Sequence, residues 1–121
     1  MGRGPPENRG ETRSVVLFRL VIEPEADQEL EAAALWYGEQ QSGLGGRFLS
    51  SVAKTLERIQ RFPEAGSLLP YLPRDLPVRR APVKAFPFHV VYLIDDPGAL
   101  KVLAFVHESR RPGYWLRRYR D

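Results

Sequence analysis

The sequence contains no cysteine and no long hydrophobic run. Without cysteine the chain can form no disulfide scaffold, no thiolate metal site and no cysteine nucleophile, and this composition fits a reducing compartment. The longest uncharged run, Ala85–Ile94, is interrupted by Pro87 and His89 and is much shorter than the ~20 apolar residues that a membrane-spanning helix needs. We therefore expect a cytoplasmic protein that has no membrane association, no metal and no cofactor.

Lysine is also scarce, since 15 of the 18 basic residues are arginine. Residues 1–73 carry 8 basic and 10 acidic side chains, whereas residues 74–121 carry 10 basic and 5 acidic ones. Arginine grips phosphate or carboxylate groups with two parallel hydrogen bonds. The basic second half therefore predicts a polyanionic partner or an acidic protein partner, and composition alone does not choose between them.

The length and composition indicate a single globular domain. The chain has 121 residues, of which 43% are hydrophobic, which is ordinary for a folded protein and enough for one core. Residues 1–13 are rich in glycine, proline and charge, so we predict a disordered N-terminal extension followed by one domain over residues 14–121.

Hydrophobic periodicity predicts the order β-α-α-β-β-β-α. Val15–Ile22 is almost continuously apolar and should be a strand buried on most of both faces. A helix should begin at Glu23–Asp27 and end near Gly43. A second helix should end at Phe62-Pro63. The expected apolar stripes of the two helices are Ala26, Leu30, Ala33 and Tyr37, and then Phe48, Val52, Leu56 and Ile59.

The second half of the chain predicts three more strands after an irregular, proline-containing loop over Glu64–Pro77. These strands are Val78–Val83, Phe88–Ile94 and Leu100–Val106, and Pro82 should confine the first of them to a sheet edge or a bulge. A short helix should follow Pro112. The fold class is therefore α+β, with a four-stranded sheet and the helical hairpin packed on one face.

The residues that mark these elements occur in the same order as in a known group of proteins. The landmarks are Trp36-Tyr37, Leu44-Gly45, Phe62-Pro63, Val78-Arg79-Arg80, Phe86-Pro87-Phe88, Val90-Val91-Tyr92, Val102–His107 and Arg110–Trp115. Over Leu17 to Arg118 the chain resembles the RelE/ParE superfamily, the toxins of bacterial type II toxin–antitoxin pairs. This resemblance implies a small, mostly antiparallel sheet and neutralisation by a cognate antitoxin whose C-terminal segment wraps the toxin.

The resemblance leaves two mechanisms open. RelE-like members cut mRNA at the ribosome, and ParE-like members inhibit DNA gyrase by binding. Metal-free RNA cleavage needs an acid, a base and cations near the phosphate, and the candidates are His107, Arg80, Arg110 and Tyr114. RelE-like sites are usually richer in basic residues, and the segment between Pro63 and Pro77 offers only Arg74, so we favour the ParE-like branch.

Other interpretations of the same residues are structural. His107 could cap a strand end, on a face shared with Lys101, Leu103 and Phe105. One of Arg79 and Arg80 could pair with an acidic residue of the helical hairpin. We expect His89 to be structural, and Tyr92 and Trp115 to pack in the core.

Two large side chains do not fit a core position. Leu35 falls nearly opposite the apolar stripe of the first helix, and Trp36 lies to its side. We therefore predict that they bind the antitoxin or a second toxin copy, which would form a homodimer. An acidic antitoxin segment could in addition pair with Arg79, Arg80, Arg110 and Arg117.

The sequence thus predicts an arginine-lined hollow beneath two helices, and three functions in order of preference. The first is a ParE-like gyrase inhibitor. The second is a metal-independent endoribonuclease that acts on mRNA at the ribosome. The third is a non-toxic homologue that retains only antitoxin binding.

Overall fold

The computed structural model describes residues 17–73, 75–95 and 97–119. The predicted extension over residues 1–13, the first two residues of the predicted strand Val15–Ile22 and Arg74 lie outside these ranges. The elements, in chain order, are β1 (Arg19–Ile22), α1 (Pro24–Gln40), α2 (Leu44–Arg61), a 3-10 turn (Pro63–Ala65), β2 (Ser67–Leu68), β3 (Val78–Pro82), β4 (Phe88–Asp95), β5 (Ala99–His107) and α3 (Leu116–Tyr119). The α+β class and the two-helix hairpin are confirmed.

The sheet has five strands in the order β1-β5-β4-β3-β2, so the prediction of four strands was wrong. β1 is parallel to β5, and every other neighbouring pair is antiparallel. The missed strand is β2, whose two residues pair with Arg80 and Arg79. Two residues are too few to show an alternating pattern within a loop that contains several prolines. The strand that contains Pro82 is not at the edge of the sheet, because β2 pairs with Arg79 and Arg80. Pro82 lies beyond these paired residues, so its missing N–H removes no hydrogen bond to β2.

β1 is an edge strand, and the described part of it is not buried on both faces. Its four residues alternate between exposed and half-buried positions, because Leu20 and Ile22 pack against the helix-side core whereas Arg19 and Val21 point to the other face and are exposed. An apolar run predicted burial on most of both faces, but a strand face is buried only where another layer of the fold packs on it.

The helical hairpin is closely packed. Pro24 begins α1 with Glu25 and Asp27 in its first turn, as expected from the helix dipole. A Cβ atom on Gly45 would lie 2.4 Å from the carbonyl oxygen of Ala34, so only glycine permits this approach of α2 to α1.

Within the part of the chain that the structure describes, no helix combines the length and apolar character needed to cross a membrane.

Each face of the sheet has its own core. On one face the predicted helical stripes pack against sheet residues such as Val90, Val102 and Phe105. On the other face Trp115 of the C-terminal segment is 1% exposed and packs with Val91. Tyr92 is fully buried, and its hydroxyl donates to the Pro63 carbonyl oxygen at 2.7 Å. The predicted core positions of Tyr92 and Trp115 are confirmed.

An irregularity in β5 changes which side chains share a face. Val91 pairs with Ala104 but Tyr92 pairs with Val102, so Leu103 is an extra residue without a partner in β4. Such a bulge reverses the alternation of side chains beyond it. The predicted common face of His107 with Lys101 and Leu103 was therefore wrong, because His107 lies on the helix-covered face with Phe105 and Leu103 lies on the other face.

Candidate functional site

His107 ends β5 beside a small aromatic pocket. Its ring packs edge-on against Phe88, with 5.1 Å between the ring centroids. Its Nδ1 accepts a 3.0 Å hydrogen bond from the Ser109 backbone N–H, so the neutral ring carries its proton on Nε2. The hydrogen bond agrees with the strand-end interpretation of this residue. The pocket has a volume of about 250 Å³ and is lined by Ala33, Trp36, Tyr37, Phe88 and His107.

Leu35 and Trp36 are exposed, as predicted from their positions on α1. Their exposed fractions are 66% and 55%, which are high for side chains of this size. The Trp36 ring contacts the Tyr37 ring edge-on at 5.2 Å and forms one wall of the aromatic pocket. We call the Leu35 and Trp36 side chains and the pocket beside Trp36 the Trp36 surface.

Arg80 lies on the opposite face of the sheet from His107. It pairs with Val91 in the sheet, and its exposed side chain lines a cavity of about 420 Å³ together with His89 and Glu108. Burial lowers the pKa of His89, and the nearby Arg80 charge lowers it further, whereas Glu108 acts against both. The sequence analysis treated His89 as structural and missed this cluster, although the pairing of β3 with β4 places Arg80 and His89 on one face.

Arg110 and Tyr114 occupy a third location. The Arg110 guanidinium carbon lies 3.9 Å from the centre of the Tyr114 ring, a cation–π arrangement. The Tyr114 hydroxyl donates a 2.5 Å hydrogen bond to Glu29. Burial and this hydrogen bond to Glu29 raise the pKa of Tyr114, so the hydroxyl keeps its proton at neutral pH and does not serve as a base.

Glu29 and Arg118, which the sequence analysis did not single out, hydrogen-bond to backbone groups of β5 that no neighbouring strand pairs with. β1 pairs with β5 only as far as Val102. Beyond that residue, the Phe105 N–H donates to Glu29 at 3.1 Å, and Arg118 donates to the Leu103 carbonyl oxygen at 2.9 Å. Arg118 also donates to both carboxylate oxygens of Glu29, at 3.0 and 3.2 Å. We call Glu29, Tyr114 and Arg118 the C-terminal clasp.

The remaining predicted arginines are engaged within the molecule. Arg79 donates to the backbone carbonyl oxygens of Gly66 at 2.7 Å and Glu64 at 3.3 Å. Arg117 donates to Glu25 at 2.8 Å. Among the described residues neither Arg79 nor Arg80 has an ion pair with an acidic residue of the hairpin, so that expectation was wrong. The arginines named from the sequence therefore do not line one hollow. Within the described ranges no group of three or more histidine, aspartate or glutamate side chains could hold a metal ion.

Comparison with known proteins agrees with the order of landmarks in the sequence. Comparison with curated proteins gave no significant match. A family model described as the ParE toxin of the type II toxin–antitoxin system parDE matches residues 20–112, which include the helical hairpin and strands β2 to β5. This match spans most of the chain, which therefore belongs to the ParE toxin family of type II toxin–antitoxin systems.

Proposed function

We propose that this ParE-family toxin acts by binding DNA gyrase rather than by cutting RNA, and that a cognate antitoxin holds it inactive. The observation that supports this proposal most is the separation of the four nuclease candidates. His107 lies by the helices, Arg80 lies on the other face of the sheet, and Tyr114 is bound to Glu29 beneath Arg110.

Their separation matters because phosphodiester cleavage needs its groups within hydrogen-bond reach of one phosphate. The His107 and Arg80 side chains lie on opposite faces of the sheet, an arrangement that does not favour contact of both with one phosphate. The Tyr114 hydroxyl is already committed to a carboxylate. A toxin that binds its target needs no such convergence.

The test is expression of the chain in bacteria without an antitoxin, followed by assays of DNA damage and of mRNA cleavage. We expect induction of an SOS reporter, no mapped mRNA cuts, and inhibition of supercoiling by purified gyrase when the purified chain is added. His107→Ala should retain all of these effects. Mapped mRNA cuts, whether or not they disappear in His107→Ala, would overturn the proposal, and normal growth with folded protein would indicate a non-toxic homologue.

The Trp36 surface is our candidate for the antitoxin contact. Exposed aromatic groups beside a small apolar pocket are typical of residues that dominate the energy of a protein interface. We propose that an apolar side chain of the antitoxin enters the pocket between Trp36 and His107. A second toxin copy could occupy the same surface when the antitoxin is absent.

Antitoxin affinity tests this assignment. Trp36→Ala should weaken binding at least about tenfold, and Leu35→Ala should weaken it less, because Leu35 is not a wall of the pocket. Leu49→Ala is the matched control, since Leu49 is an exposed leucine of α2 outside the pocket. Equal affinity in wild type and both α1 variants would remove the assignment.

The nuclease remains a second candidate because of the Arg80 cavity. That cavity brings together a guanidinium, an imidazole of lowered pKa and the carboxylate of Glu108, and an imidazole that is neutral at pH 7 can accept a proton. If the chain cleaves RNA, we expect His89→Ala to abolish cleavage and His107→Ala to leave it unchanged. This pair of variants separates the two histidines directly.

A further inference from the structure

A groove of about 700 Å³ lies between α2 and the turn that joins β3 to β4. It shares no lining residue with the Trp36 surface or the C-terminal clasp. It shares one residue, Pro82, with the Arg80 cavity. Four basic side chains line it, namely Arg47, Lys54 and Arg58 from α2 and Lys84 from the turn. No acidic residue is among the lining residues.

The three basic residues of α2 form one row. At ~100° per residue, positions 47, 54 and 58 lie within about 40° of one another around the helix, and they are separated by about 10 and 6 Å along its axis. Lys84 faces this row from the other wall. All four side chains are exposed, and none of them forms an ion pair with a described carboxylate. Glu57 on the same helix pairs with Arg61. The groove therefore carries positive charge that the described part of the molecule does not neutralise.

Four apolar residues also line the groove, and we refer to them together as its floor. Leu44, Pro82, Ala85 and Phe86 provide it, and Phe86 packs in turn on Phe48 in the core. A sugar–phosphate backbone would match the basic residues but would leave these apolar groups without a counterpart. An extended peptide presents one set of side chains downward and the alternate set upward, so it can match the floor and the charged rim at the same time.

The two walls are held together in the absence of a partner. Ser51 of α2 donates a 2.7 Å hydrogen bond to the Lys84 carbonyl oxygen, and the Thr55 hydroxyl lies 3.2 Å from the Pro82 carbonyl oxygen. Ala85 adopts a left-handed backbone, with φ of 71°, which is uncommon for a residue other than glycine. A groove that is already formed loses little entropy when a ligand binds.

We infer that this groove binds an extended polypeptide segment of a partner protein in which acidic residues alternate with apolar ones. The row from Arg47 to Arg58 spans about 16 Å of helix axis, which corresponds to about five residues of extended chain. The inference does not depend on which target the toxin inhibits. It assigns the binding of acidic protein to the basic residues of the groove and not to Arg79, Arg80, Arg110 and Arg117.

The probe is a fluorescein-labelled heptapeptide, Glu-Leu-Glu-Val-Glu-Leu-Glu, and its binding to the purified full chain is followed by fluorescence anisotropy. The variant Lys54→Gln/Lys84→Gln should weaken binding about tenfold, as expected for the loss of two charged contacts. The matched control Arg19→Gln/Arg111→Gln removes the same net charge from exposed positions outside the groove and should change affinity less than about twofold. Far-UV circular dichroism verifies that each variant is folded.

Two further peptides separate the contributions of charge and of apolar contact. Replacement of every Glu by Gln, or of Leu and Val by Ser, should each reduce binding to wild type at least about tenfold if both the rim and the floor are used. The inference is overturned if the wild-type chain does not bind the first peptide, if both double variants weaken binding equally, or if a 20-base-pair DNA duplex displaces the peptide and binds the groove more tightly. The last outcome would identify a nucleic-acid surface instead.

Discussion

The C-terminal clasp and the α2 groove both hold positive charge, and they differ in what surrounds it. In the clasp, the Arg118 side chain is 7% exposed and is held by two carboxylates and one carbonyl oxygen. In the groove, Lys54 and Lys84 are exposed, and neither forms an ion pair with a described carboxylate. Removing one partner of a buried charge pair destabilises the fold, whereas exposed charge without a partner contributes little to stability and is available for recognition.

The sequence does not reveal this difference, because arginine and lysine look alike in both places. Arg117 and Arg118 are adjacent, yet the Arg117 side chain is 69% exposed and forms one ion pair with Glu25. Arg118 reaches Glu29, 89 positions away in the chain. The comparison therefore predicts very different effects for substitutions that look equivalent in the sequence.

The largest effect should come from Glu29→Ala. This change removes the acceptor of Arg118, Tyr114 and the Phe105 N–H together, so a nearly buried guanidinium loses its principal partner. We expect a loss of about 3–5 kcal/mol in the free energy of unfolding, measured by urea denaturation. Glu31→Ala is the control on the same helix, at an exposed position, and should stay within about 0.5 kcal/mol of wild type. A loss of less than about 1 kcal/mol for Glu29→Ala would show that the clasp does not stabilise the fold.

The next effect tests the hairpin that carries both regions, because Glu29 lies on α1 and the basic row lies on α2. Gly45→Ala would place a methyl group against the Ala34 carbonyl oxygen and should cost about 2–3 kcal/mol of stability. At Gly46, one residue further along α2, an added Cβ meets nothing within 4 Å apart from its chain neighbours and its own helix backbone. Gly46→Ala should therefore gain up to about 1 kcal/mol, since alanine favours helix. Equal thermal midpoints for the two variants would contradict the close approach of the helices.

Tyr114→Phe is a milder change to the clasp and should cost about 1–2 kcal/mol at pH 7, because Glu29 loses one donor. The same residue predicts a pH dependence. The pKa of Tyr114 is raised in the folded state, so above about pH 10 an unfolded chain loses this proton while the folded chain retains it. The unfolded state then binds fewer protons, and stability falls as the pH rises.

Denaturation of wild type and Tyr114→Phe between pH 8 and pH 11 measures this contribution. We expect a smaller alkaline loss in the variant, with some loss remaining, because burial also raises the pKa of Tyr92 and Tyr71. If the free energy of unfolding fell equally with pH in the two proteins, the pKa of Tyr114 would not be raised by the clasp.

The smallest effects should come from the exposed charges. Arg117→Ala breaks one ion pair that is largely open to solvent and should cost less than about 1 kcal/mol. Lys54→Ala in the groove should lie within about 0.5 kcal/mol of wild type. If either change destabilised the protein as much as Glu29→Ala, the distinction between structural and available charge would fail.

The sequence predicted the elements whose patterns are long and local. The stripes of the two helices specify both the element and its buried face, and the apolar runs of β4 and β5 specify the elements, although the bulge at Leu103 changed which side chains of β5 share a face. The two-residue strand β2 has no such run, and it forms because Ser67 and Leu68 can pair with Arg80 and Arg79. The layer that packs on a strand, which no local pattern records, also determined the exposure of β1.

The sites were less predictable for the same physical reason. Leu35 and Trp36 could be identified because a single helix determines which side of it they occupy. The clasp could not be, since it joins α1 to the C-terminal segment. The basic row of the groove was visible as spacing on α2, but its apolar floor depends on a turn far along the chain.

The unpaired Leu103 has a consequence for how this strand is compared between relatives. It shifts the alternation of side chains along β5 by one residue. Side chains after Leu103 therefore point to the face opposite the one that strict alternation predicts. In a toxin that lacked this one position, a histidine at the same distance from the turn between β4 and β5 would lie on the face of Arg80 and His89, and two imidazoles would share one cavity. Two chains with nearly identical sequences in this strand could thus differ in whether the histidine that ends β5 and Arg80 lie on the same face of the sheet.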